Sequence, residues 1–186
     1  MEQKIKSVWT SRFMTAGIIQ GGLITALTIY FLIGQIFWLK PEPSRVIAFG
    51  SAGQWFTFGY LIYLIVGVVG VAVTALFYHY IEDLMGKSIT GVSNLLAWIH
   101  IILMNIGVTG ASGLMIIGGY LGGAAMLPPE VGGQGWNPGQ VHVNIFYSIP
   151  LGYPFWISLF LTLLIIGVIA GGLGFIITLR KRTETS

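Results

Sequence analysis

The sequence contains no cysteine and very little charge. Without a thiol there is no disulfide, no thiolate-bound metal or iron–sulfur cluster, and no cysteine nucleophile. Charged residues make up 8% of the 186, against about 25% in soluble globular domains, which excludes an ordinary water-soluble fold. Asp and Glu together number six, and no apolar run holds a carboxylate pair of the kind that couples ions. There is no phosphate-binding glycine loop of the Walker type, no Ser/His/Asp constellation, and no inverted repeat or proline-broken helix pair of the transporter kind. The net charge of +3 is not a nucleic-acid signal, because most of the Lys and Arg lie at the chain ends with no basic patch interleaved with aromatics.

What is abundant is apolar surface and glycine: 55% hydrophobic residues and 27 glycines. Four runs, at about 13–39, 55–80, 94–126 and 155–179, are long enough to cross a bilayer, which takes roughly 20 apolar residues. They predict an all-α, polytopic membrane protein: one four-helix transmembrane domain over 1–186, with a Pro/Gly-rich outer loop at 127–154 between the third and fourth helices. The basic stretch 1–12 reads as a segment lying at the membrane surface. The first run is full length and lacks a small-residue cleavage site, so it reads as a span and not a cleaved signal. The prolines of KPEPSR end the first helix.

With four spans both ends face one side. That side holds Lys4, Lys6, Arg12, Lys87, Arg180, Lys181 and Arg182, and the other only Lys40 and Arg45. The asymmetry predicts a multi-pass protein of the cell membrane with both termini cytoplasmic.

The third run organises the rest. It carries His100, the one histidine well inside an apolar stretch, and a glycine-dense second half. An ionisable group within a membrane is a functional candidate, and a neutral imidazole can ligate haem iron or copper or sit on a proton path. The plainer reading is a histidine hydrogen-bonded to a neighbouring helix. His79, Glu82 and Asp83, at i, i+3 and i+4, share one helix face as a metal site requires, or else are wettable anchors at the boundary. A bis-histidine haem between His79 and His100 is disfavoured, because helix rise sets the two at different depths. His142 and Trp136 in the outer loop are candidates for contact with a partner, including an extracytoplasmic electron carrier. Small-x-x-x-small faces recur at Gly17/Gly21, Gly118/Gly122, Gly119/Gly123 and Gly167/Gly171. They support close helix packing. Because a bundle this small has little interior, some of them are expected to meet other subunits.

The segments LLAWIHIILMNIGVTGASGLMIIGGYLGGAAMLP and GQWFTFGYLIYLIVGVVGVAVTALFYHYIE resemble helices of haem–copper oxidase membrane subunits. There too a histidine enters a Trp- and Met-bearing helix, and a Gly-rich exit ends at Leu-Pro. The oxidase catalytic subunit is far longer and has several more intramembrane histidines. The resemblance therefore implies a small accessory subunit of a terminal oxidase, with no catalytic site of its own. It implies a hetero-oligomeric respiratory complex, with His100 tuning or ligating a haem shared with a partner subunit. A small subunit of a membrane monooxygenase complex, a haem b-binding electron carrier, and a small channel or carrier are the alternatives.

Overall fold

A computed structural model describes residues 7–181. Among them there is no strand, and four helices are long and apolar enough to cross a membrane. These are α1 (Val8–Phe37), α3 (Ser51–Leu84), α4 (Val92–Met126) and α6 (Gly152–Arg180). Between them lie the short α2 (Pro43–Phe49) and α5 (Pro138–Val141, prolonged by a π turn over His142–Phe146). Lys4, Lys6 and Arg182, which entered the charge asymmetry, lie outside the described residues.

The long helices form a row of neighbours, α6–α4–α3–α1, and α1 reaches α4 through only a narrow contact. Glycine makes the row tight. A β-carbon at Gly167 of α6 would come within 2.7 Å of the Met104 amide nitrogen, and one at Gly107 of α4 would come within 2.7 Å of the Phe160 carbonyl oxygen. Each helix thus offers bare backbone to the other. On its opposite side α4 uses Gly119 and Gly123 against Phe56 and Gly53, while Gly59 of α3 fits against Met115.

α1 begins five residues before the apolar run, at Val8, so Trp9 and Arg12 belong to a helix and not to a surface segment. Trp9 is almost wholly buried. α3 is not uniform: π turns occupy Tyr63–Gly70 and Tyr80–Leu84.

The Pro/Gly-rich segment after Met126 is folded back on the bundle. The amides of Gln134 and Trp136 donate to the Ala125 carbonyl, at 3.2 and 3.0 Å, and that of Gly135 to Leu127 at 2.8 Å. Carbonyls left open at the end of α4 are thereby satisfied. A side chain at Gly133 would run into the Leu127 carbonyl. Asn137 and Gln140 then form a reciprocal capping box with Pro138 in the first helical position, which starts α5. Val141 and Phe146 of α5 pack onto Ala52 and Ala125, with Phe146 stacked on Trp55 at 4.7 Å. So short a helix leaves no 3.6-residue periodicity to read in the sequence.

Candidate functional site

His100 sits where α1, α3, α4 and α6 come closest. Its ring is 3% exposed. Phe13 lies 5.0 Å from it, Tyr78 and Phe175 each 6.1 Å, all measured between ring centres. The Tyr78 hydroxyl is 3.4 Å from Nδ1. The fourth wall is backbone: a β-carbon at Gly171 of α6 would overlap the imidazole. This is a closed aromatic box. The residue is enclosed on all sides, with the Tyr78 hydroxyl and the Gly171 backbone against Nδ1, so haem iron reaches a ring nitrogen only if a neighbouring helix moves away.

His79 does not share this box. It follows Tyr78 directly, and successive residues on a helix diverge by about 100°. Tyr78 points inward and His79 outward, its side chain 46% exposed. This geometry separates His79 from His100 sideways as well as in depth.

The proposed metal trio comes apart in the same way. The His79 ring pairs with Asp83 at 2.6 Å, and Asp83 also accepts from the Ser7 hydroxyl. Glu82 turns the other way, into the protein, and is 5% exposed. Its carboxylate accepts from the Trp9 amide at 3.0 and 3.1 Å, from the Thr10 amide at 2.9 Å and from the Thr10 hydroxyl at 3.0 Å. Among the described residues no three His, Asp or Glu side chains are placed to hold a metal ion. Glu82 and Asp83 are successive residues, about 100° apart on a helix, and they take different sides, Glu82 toward α1 and Asp83 toward His79. What Glu82 does instead is cap α1. Ser7 offers no side-chain cap, and a remote carboxylate satisfies the first amides and meets the positive end of the helix dipole.

A second polar cluster lies deeper. Gln20 of α1 is 4% exposed. Its Nε2 donates to Asn105 Oδ1 at 2.8 Å and to Thr109 at 3.1 Å, and its Oε1 accepts from the Tyr63 hydroxyl. Asn105 donates onward to the Ile101 carbonyl at 2.7 Å. The cluster joins α1, α3 and α4 through side-chain hydrogen bonds and contains no carboxylate, histidine or lysine, so it serves to position the helices. Gln20 and Asn105 stand out in the sequence as polar residues in apolar runs; Tyr63 and Thr109 gave no such signal. Two buried hydroxyls, Ser93 and Ser112, have no partner among the described residues.

The candidate packing glycines divide. Gly118 faces Tyr153, Gly122 faces Ala52 and Val141, and Gly119, Gly123, Gly167 and Gly171 fill the seams described above. Gly17 meets Ala72 at ordinary contact, 3.8 Å, and Gly21 faces open space. The faces expected to meet other subunits are thus mostly occupied within the chain, because α4 has a neighbour on each side. In the segment after Met126, Trp136 is half-buried against the Val141–Phe146 cluster, while His142 is exposed, with its ring 5.0 Å from Tyr147.

No family model matches the chain, and neither the comparison with curated proteins nor that with solved structures found a match.

Proposed function

We propose that the chain is a multi-pass membrane protein with cytoplasmic termini that serves as a non-catalytic subunit of a respiratory complex of terminal-oxidase type, stabilising a larger catalytic partner. The observation that carries this reading is the bareness of α1. Only 11% of its apolar window is buried within the chain, and Ile18, Ile19, Leu23 and Ile36 are each more than half exposed. Gly21 and the adjacent Gly22 have nothing within 4 Å, so another helix can approach α1 closely there. An apolar groove of about 710 Å³ between α1 and α3, floored by Gly17 and Ala72, runs beside the same face. The interior, by contrast, is filled by helix-positioning contacts. The respiratory setting is supported by the likeness of 95–128 and 53–82 to oxidase helices, and the orientation by the distribution of Lys and Arg.

The test is purification of the tagged chain from its native membrane in mild detergent. A haem- and copper-bearing membrane protein is expected in stoichiometric amount, with the haem spectrum belonging to that partner. The chain emerging alone and colourless overturns the reading. A haem retained by the isolated chain would replace it with an electron carrier, and would require the His100 box to open.

A further inference from the structure

At the start of α1 the indoles of Trp9 and Trp98 meet edge to face, their planes 81° apart and their centres 5.1 Å apart. The Arg12 guanidinium lies in the corner they form, 4.5 Å from one ring centre and 4.3 Å from the other. Two aromatic faces hold the cation in place. Among the described residues Arg12 has neither a hydrogen bond nor an ion pair to any acceptor. Glu82 lines the same small pocket, but its oxygens are taken up by Trp9 and Thr10. Asp83 is turned to Ser7 and His79. The pocket holds about 270 Å³ beside Arg12, with Ser88 and Asn94 at its polar edge and Val8 and Trp98 at its apolar one.

We infer that this corner is a binding site for the phosphate of an anionic phospholipid. An oriented guanidinium presents a planar fork of donors that matches two oxygens of a phosphate at once. The surroundings favour a lipid over a soluble ion. Arg12 stands four residues into α1, about 6 Å from its start, at a depth suited to a headgroup. Val8 and Trp98 are 38% and 41% exposed on the outer side of the pocket, so an acyl chain can continue along the helices. Lys87 and Lys181 lie at the same end of the bundle, where they bond the Leu179 and Thr90 carbonyls, and they add to its positive potential. The site rests on the reading that these helices span a membrane, and it does not depend on the partner complex.

Native mass spectrometry of the full chain, released from detergent containing equal phosphatidylglycerol and phosphatidylcholine, tests it. The wild type is expected to retain one phosphatidylglycerol in preference, and Arg12→Gln to lose that preference by about fivefold. Arg12→Lys should fall between them, because an ammonium keeps the charge and loses the fork. Trp98→Leu, which removes one aromatic wall beside Arg12 at a partly exposed position, should weaken retention with helix content unchanged. Equal retention in wild type and Arg12→Gln overturns the site. If Arg12→Gln does not fold, undiminished retention by Trp98→Leu overturns it. Displacement of the lipid by millimolar inorganic phosphate would make it a soluble-anion site and refute the lipid assignment. Failure of the membrane reading shows separately, as release of the chain by alkaline carbonate without detergent.

Discussion

α4 and α1 are both long, apolar and glycine-bearing, yet they are built for different surroundings. In α4, 39% of the apolar window is buried inside the chain, against 11% in α1. Of the glycines of α4 only Gly113 has open space before it and the others meet a neighbouring element, whereas Gly21 and Gly22 of α1 face nothing. α1 is held to the rest by few fixings: the Glu82 cap at its start, the Gln20 cluster in its middle and contacts along α3. The α4–α6 pair is a seam closed along its length by backbone proximity, and α1 is a rod pinned at points. Glycine content alone therefore does not tell whether a transmembrane helix is meant for its own bundle or for a neighbour. What tells is whether the bare backbone is already covered.

This contrast can be broken most forcefully on α4. Gly107→Leu would drive a side chain into Phe160 and Leu164, and should destabilise the protein by roughly 3 kcal/mol, seen as a large loss of melting temperature in detergent. An unchanged melt would mean that the seam is not closed. Glu82→Ala removes the cap from α1 and should cost about 2 kcal/mol, with the loss concentrated at the start of α1 in amide exchange and little change in α6. Gln20→Leu leaves Asn105 and Tyr63 without their partner and should cost about 1 kcal/mol. A neutral result there would make the cluster incidental to α1 docking. Gly21→Leu should alter stability by less than about 0.5 kcal/mol, yet reduce co-purification of the partner. Because the chain has no cysteine of its own, Ile18→Cys gives a clean cross-linking handle on the same face. An adduct to a second protein is expected from it, and none from Ala97→Cys in the core.

The smallest effect lies outside the bundle. The Lys40 ammonium bonds Glu42 at 2.5 Å and Arg45 lies 2.7 Å from it. Together with a backbone hydrogen bond they hold its carboxyl at about 2, below the ordinary 4.5. A depressed value means that the folded form favours the ionised group. The contribution is therefore present above about 4.5 and fades as pH falls toward 2. Amide resonances of residues 44–49 should shift across that window, and a midpoint at or above 4.5 would contradict the pairing.

The long apolar runs made the four helices legible, because nothing but a spanning helix uses so many uncharged residues in succession. Their ends were less so. Trp9 and Arg12 look like boundary residues when read alone, and only Glu82, 73 positions away, explains why the helix starts before them. His79, Glu82 and Asp83 look like neighbours by spacing, but Glu82 is drawn to the amides that start α1, a long-range partner that spacing does not reveal. His100 stood out correctly as buried, but its surroundings come from three other helices, and no local pattern shows that Gly171 would press against its ring. The compact fold of the segment after Met126 was hidden by its brevity, with the Asn137–Gln140 pair as the one readable cue.

The placement of Glu82 has a consequence for biogenesis. Glu82 is synthesised 72 residues after Thr10, so the leading turn of the first helix gains its acceptor only when the second long helix is complete. During that interval the amides of Trp9 and Thr10 must borrow water or headgroups as acceptors. Lateral docking of the nascent first helix is therefore timed by the arrival of the second helix's far end, and truncation before Glu82 should leave an inserted but unanchored rod.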